Sequence, residues 1–251
     1  MKTKEALLEA CDRTLELLQS EFGNPEVVSV RGGNAFRYAR KNDLLMSYLK
    51  CVSALSAANA ANILFESGHV AEVIALCRIC NECYEDVVFL ASPLGDNGKV
   101  SERQISHIKE YFQEEFSESG SLAEAQAVRH RTPRSKIQAA IASIPSDISN
   151  PHSRRENLNV LYKASSGSVH SAYFQAMDLC GGSAESPRFH VNGISDKNKV
   201  DEYALTFNSA INNVSSSIFL LAKRCSQLRL ASDLELIQVE FGKDAQLFDE
   251  K

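Results

Sequence analysis

Phe207-Asn-Ser-Ala-Ile211-Asn-Asn-Val214-Ser-Ser-Ser-Ile218-Phe-Leu-Leu221-Ala-Lys-Arg-Cys225-Ser-Gln-Leu228 decides the fold class. Its numbered apolar residues step four, three, four, three, four and three positions. A helix of 3.6 residues per turn lays such a series along one stripe. The stripe predicts a long helix packed along its length against others, within the chain or across a dimer.

The same periodicity recurs upstream. Leu8, Cys11, Leu15, Leu18 and Phe22 mark a first helix, ended by Gly23-Asn-Pro25. Leu44, Tyr48, Cys51, Leu55, Ala58, Asn62 and Phe65 mark a second, stopped at Gly68, and a looser stretch with Arg31-Gly-Gly-Asn34 separates the two. A third runs from about His69 to Ser92-Pro93 and is apolar almost all round, with Val70, Val73, Ile74, Leu76, Ile79, Val87, Val88 and Phe89. A helix of that kind belongs in the centre of a packed set.

Leu94 to Gly98 reads as a turn, and Ser101 to about Ser117 as a charged surface helix with a capping-box start. Residues 121–146 read as two short helices split at Thr132-Pro133. After a break at Asn150-Pro151, a helix is predicted from about Arg154 to Cys180, weakened at Gly167. Gly181 to Asp196 is the longest loop, with a small hairpin expected around Asn192-Gly193. The tail from Ala231 is acidic and is expected to fray. With no strand-rich region, repeat or long linker, the expectation is a single all-α domain over 1–251: an antiparallel bundle of long helices with shorter accessory ones.

Composition narrows the function classes. The 251 residues are 44% hydrophobic and 24% charged, as in ordinary globular proteins. A net charge of -5 gives no global pull towards nucleic acid or anionic lipid. The seven cysteines are an odd number, against a secreted disulfide framework. The charged start and the short apolar runs give neither a signal core nor a spanning segment, so a soluble cytoplasmic protein with reduced thiols is expected.

Several motif-like spacings are discounted. Cys77-x2-Cys80-x2-Cys83 lies inside an unbroken helix pattern, so buried thiols explain it better than a cluster site. Glu66-x2-His69 lacks a second copy, and Gly95 to Lys99 lacks the spacing of a phosphate loop. No metal or other cofactor is expected.

Three groups of residues can carry chemistry. Arg78 and Glu82 stand four apart in the most apolar helix, where a charge must be paired. They are either a structural ion pair or a charged group held in a dry site. Tyr162, Ser166 and His170 share one helix face at successive turns, either as a satisfied core histidine or as an oriented acid–base group. Residues 129–163 hold Arg129, Arg131, Arg134, Lys136, Arg154, Arg155 and Lys163 against Asp147 and Glu156. This basic stretch is either a solvated face or a surface for nucleic-acid phosphates, contacted through Arg129, Arg131, Arg134, Arg154, Arg155 and Lys163.

At these residues the chain resembles a known group. Gly68 to Glu82 resembles the apolar-Leu-x-Arg-x3-Glu helix of a large family of uncharacterised bacterial helical proteins. Tyr162-Lys-Ala-Ser-Ser166-Gly-Ser-Val-His170 resembles the same family's Tyr-x3-Ser-x3-His signature. That family is similar to the HEPN superfamily (higher eukaryotes and prokaryotes nucleotide-binding) and to abortive-infection proteins. The resemblance implies a four-helix-bundle core that often dimerises, with links to phage defence, toxin–antitoxin pairs or RNA cleavage. It carries over Arg78, Glu82, Tyr162, Ser166 and His170 as the site. The Arg-x4-6-His motif of HEPN nucleases is absent: Lys163-x6-His170 has Lys for Arg, and Arg103-x3-His107 is one residue short.

Three functions follow as alternatives. A non-catalytic binding or interaction module would take RNA, a nucleotide or a partner protein, and is the favoured reading. A metal-independent ribonuclease would use His170 as acid–base group and Arg78 to stabilise the phosphorane. A metal-dependent helical enzyme would use Glu66, His69 and Glu82.

Overall fold

The computed structural model describes residues 2–30, 33–92, 94, 100–113, 132–144 and 150–247, which are mostly helical with two small sheets. Helix α1 spans Lys2–Leu18 and buries Leu7, Leu8, Cys11, Leu15 and Leu18, the stripe its spacing predicts. A 3-10 turn over Gln19–Glu21 and Gly23 in the left-handed region then end it.

Strands β1 (Glu26–Val30) and β2 (Gly33–Arg37) follow as an antiparallel hairpin, with Val30 opposite Gly33. This corrects the reading of a loose stretch there. Val27 and Phe36 are cross-strand partners and both are exposed, so no buried face marked these strands.

Helices α2 (Asp43–Glu66) and α3 (Val70–Ala91) form the centre together with α9 (Ala204–Arg224). Asn42 caps α2 by accepting from the Leu45 N–H at 2.9 Å. Lys50 pairs with Asp86, and Cys80 Sγ donates to the Ala54 carbonyl, so α2 and α3 run antiparallel. Phe65 stacks on Phe207 at one end of α2 while Asp43 pairs with Arg224 at the other, so α2 and α9 are antiparallel too. Helix α2 is long and apolar enough, by length and composition, to cross a membrane, but just over half of that stretch is buried inside the protein.

The quoted stripe holds as far as Leu221: Phe207, Ile211, Val214, Ile218 and Leu221 are all buried. It does not continue to Leu228, which is exposed. The chain turns back at Ser226, and α10 (Leu228–Asp244) packs antiparallel on α9, with Gln238 Nε2 donating to Asn212 Oδ1 at 2.9 Å. The expected frayed tail is therefore a packed helix. Its acidic residues face solvent while Ala231, Leu234 and Phe241 enter the core beside α1.

On the outer side of α3 lie α4 (Glu102–Tyr111), α5 (Arg134–Ala142) and α6 (Pro151–Val169). Ser101 and Gln104 form the expected capping box of α4. Asn150 caps α6 and Pro151 occupies its first turn, so the predicted break is the start of this helix. The helix expected to reach Cys180 stops at Val169. Ser171 adopts φ 48°, and α7 (Tyr173–Met177) follows.

Strands β3 (Cys180–Ser183) and β4 (Ser186–Phe189) make the second hairpin, nearer the start of the loop than expected, and α8 (Lys197–Asp201) leads into α9. Helix α4 stops at Tyr111, with Phe112 as its C-cap, short of the expected Ser117. The expected turn at 94–98, apart from Leu94, and the first of the two short helices in 121–146 lie outside the described residues.

Candidate functional site

The polar site grows from α3. Positions 78, 82, 85 and 86 recur at three and four residues and so face one way, towards α5 and α6. Arg78 Nε donates to Glu82 Oε1 at 2.7 Å, Nη1 to Ser166 Oγ at 3.1 Å and Nη2 to the Tyr162 hydroxyl at 2.8 Å. Its guanidinium also lies over the Tyr162 ring, 4.5 Å from the centroid. Four of the five residues expected here thus form one unit that ties α3 to α6.

His170 does not join it. It is the C-cap of α6 and is exposed, with its backbone N–H donating to the Ser166 carbonyl at 3.1 Å. Its side chain makes no hydrogen bond or ion pair among the described residues. The helical face expected to carry Tyr162, Ser166 and His170 ends one residue short of the histidine.

A second cluster lies further along α3. Arg134, on α5, donates from Nη1 to Asp86 Oδ1 at 2.7 Å, Glu85 Oε2 at 3.3 Å and the Glu82 carbonyl at 3.2 Å. Lys50 Nζ lies 2.7 Å from Asp86 Oδ2, and His107 Nε2 lies 3.3 Å from Asp86 Oδ1. Gln138 Nε2 donates to Glu85 Oε1 at 3.1 Å. Asp86 is 0% exposed. Burial opposes its charge, yet the His107 imidazole beside it and the cations of Arg134 and Lys50 hold its carboxyl below the usual carboxylate range. Burial pushes Glu85 up to about 7, against the pull of Arg134 and Gln138. A cavity of about 30 Å³ between the two clusters, bounded by Arg78, Glu82, Glu85 and Tyr162, has room for about one water.

The arrangement corrects the basic surface. Arg134 is not free for phosphates, because three acidic side chains of α3 surround it. Arg129, Arg131 and Asp147 lie outside the described residues. Lys136, Arg155 and Lys163 are exposed, and Arg154 is half-buried, with a buried Nε that has no hydrogen-bond partner among the described residues. Arg155 and His152 border a cleft of about 360 Å³ between α5 and α6, with Ser135, Gln138 and Asn159 on its walls.

The sequence reading missed Lys50, Glu85, Asp86, His107 and Gln138. Glu85-Asp86 inside the apolar run from Cys83 to Phe89 was the available signal, since two adjacent acids there need partners. His107 looked like a surface residue, but its imidazole packs against Phe89 at 5.7 Å and turns to Asp86.

Of the discounted spacings, Gly95 to Lys99 lies outside the described residues and the cysteine run is packed. Cys77, Cys80 and Cys83 are buried on α3, and burial pushes the Cys77 thiol to about 12 and Cys83 to about 11. Of the three metal-site candidates, Glu66 pairs with Lys4, His69 faces Glu72 and Glu82 pairs with Arg78. Among the described residues no group of three or more His, Cys, Asp or Glu is placed to hold a metal ion.

No family model matches the chain, and no curated protein or solved structure matches it.

Proposed function

We propose that the chain is a non-catalytic binding module with a HEPN-like bundle as its core, working as a homodimer in a bacterial defence or stress system. The observation that carries this reading is the engagement of Arg78. All three of its nitrogens donate to protein acceptors, and its face is covered by Tyr162. A cation with three of its five N–H donors committed in this way ties α3 to α6, which is the role this reading gives it. The histidine that would share the work stands apart and exposed.

The ligand we propose is RNA or a nucleotide, held by its phosphates at the α5–α6 cleft. Arg155 supplies the cation there, with the Glu156 carboxylate on the same wall, and Ser135, His152 and Asn159 supply hydrogen bonds. The Arg78 and Arg134 clusters hold α3, α5 and α6 in register beneath it.

The test is fluorescence anisotropy with a labelled single-stranded RNA in EDTA, alongside a cleavage assay on the same RNA. Expected are binding that weakens with salt, a further loss in Arg155→Ala, and intact RNA. Cleavage that survives EDTA and disappears in His170→Ala would replace this reading with the metal-independent ribonuclease. An intact protein that neither binds nor cleaves the RNA would remove RNA as the ligand.

A further inference from the structure

A second cleft, of about 560 Å³, opens at the junction of α1, α2, α8, α9 and α10, none of which borders the α5–α6 cleft. Lys4 forms part of its wall. The lysine is only 8% exposed, although its ammonium carries a full charge to be satisfied. Among the described residues it donates one hydrogen bond, to Glu66 Oε1, long at 3.3 Å. The Phe65 and Phe207 rings cover it at 5.8 and 5.4 Å from their centroids. An ammonium has three donors, so two remain without an acceptor among the described residues.

The cleft's other charges, of both signs, come from other elements. Lys197 and Asp201 stand on α8 and Asp244 at the end of α10, and all three are exposed. A simple anion would meet Lys4 and Lys197 but be opposed by Glu66, Asp201 and Asp244. A simple amine would leave the donors of Lys4 unmet and be opposed by Lys197. A ligand carrying both charges satisfies both sides. Phe65, Val200 and Phe241 add apolar wall, and 560 Å³ is ample for a small molecule.

We propose that this cleft binds a small zwitterion of the amino-acid type with an apolar side chain. Its carboxylate sits at Lys4 and Lys197, its ammonium at Asp201 and Asp244, and its side chain against Phe65 and Phe241. The Gly68–Ile194 contact, with the Ile194 N–H donating to the Gly68 carbonyl at 2.8 Å, fixes the rim between α2 and α8.

The test is thermal unfolding of the full chain with L-leucine and L-phenylalanine. It is repeated with the matched amines, isoamylamine and phenethylamine, and the matched acids, 4-methylpentanoate and 3-phenylpropionate. One of the two amino acids is expected to raise Tm by about 3–5 °C at ten times its Kd. The amines and acids are expected to leave Tm unchanged. Lys197→Gln and Asp201→Asn change exposed side chains and keep the fold, and each is expected to weaken the amino acid's Kd at least about ten-fold, a loss of one charge contact. Lys4→Met is expected to abolish the shift. The proposal is overturned if neither amino acid shifts Tm, if an amine or an acid does so equally well, or if Lys197→Gln and Asp201→Asn bind as the wild type does.

Discussion

Arg134 reaches across from α5 to place Nη1 2.7 Å from Asp86 Oδ1, deep in α3. Lys50 and His107 close on the same carboxylate from α2 and α4, so one buried side chain joins four helices. Removing it would leave Lys50 without its carboxylate and Arg134 without the shortest of its three. Asp86→Ala is therefore expected to cost about 3–5 kcal/mol, read as a lower urea midpoint with an unchanged slope. A loss below about 1 kcal/mol would mean that Lys50 and Arg134 turn out to solvent without penalty.

Glu85 and Asp86 are adjacent, yet they give stability opposite dependences on pH. Burial raises the Glu85 pKa from 4.5 to about 7, so the folded chain keeps a proton that the unfolded chain has lost. Its contribution is full below about 4.5 and is lost as pH rises through about 7. Asp86 is depressed, so its contribution is present above the ordinary value of 3.8 and is lost as pH falls below it. In Glu85→Gln, which cannot ionise, the fall in stability between pH 5 and pH 8 is expected to flatten. Urea titrations at the two pH values measure it, and an unchanged difference would show that Glu85 does not carry the effect.

What was legible in the sequence follows from how each helix ends. Gly68 marks the end of α2 openly, because a left-handed residue there is a glycine: φ is 75° and the His69 N–H returns to the Leu64 carbonyl at 3.0 Å. Helices α6 and α9 end with the same return, from Ala172 to Gly167 and from Gln227 to Ala222. Their left-handed residues, however, are Ser171 and Ser226. No glycine announced those stops, so the periodic reading ran through both of them. It carried His170 onto a face that had already ended, and Leu228 onto a stripe that had already turned. Arg78, Glu82, Tyr162 and Ser166 were legible because all four lie inside helices whose spacing places them correctly. The Arg134–Asp86 pair was not, because local spacing contains no term for a partner 48 residues away.

Arg78 offers a graded test of the upper cluster. Tyr162→Phe keeps the ring under the guanidinium and removes one hydrogen bond, so a loss of about 1 kcal/mol is expected. Arg78→Ala removes the bonds to Glu82, Ser166 and Tyr162 together and is expected to cost about 2–4 kcal/mol in chemical denaturation. Equal losses in the two variants would mean that the Tyr162 hydroxyl alone joins α3 to α6.

His170→Ala should change little in the fold. The side chain is exposed and has no hydrogen bond or ion pair among the described residues, so stability is expected to stay within about 0.5 kcal/mol. A drop in Tm of several degrees would place this histidine in a packed role that its exposure does not provide.

Gly68 and Gly23 separate backbone strain from steric contact. Their φ angles are nearly the same, 75° and 70°, so an alanine at either pays the same left-handed penalty, about 1 kcal/mol. At Gly23 nothing lies within 4 Å of the added Cβ. At Gly68 the Cβ would run into the backbone carbonyl of Ile194, which cannot swing aside as the end of a flexible side chain would. The Ile194 N–H to Gly68 carbonyl bond holds the two segments at this separation, so relief requires the rim of the amino-acid cleft to move. Gly23→Ala is thus expected to cost about 1 kcal/mol and Gly68→Ala at least about 2 kcal/mol more, the range of overpacking against a rigid neighbour. Paired urea unfolding curves measure both. Equal losses would show that the loop before α8 yields freely, and that the rim of the cleft is set by something other than the meeting of Gly68 with Ile194.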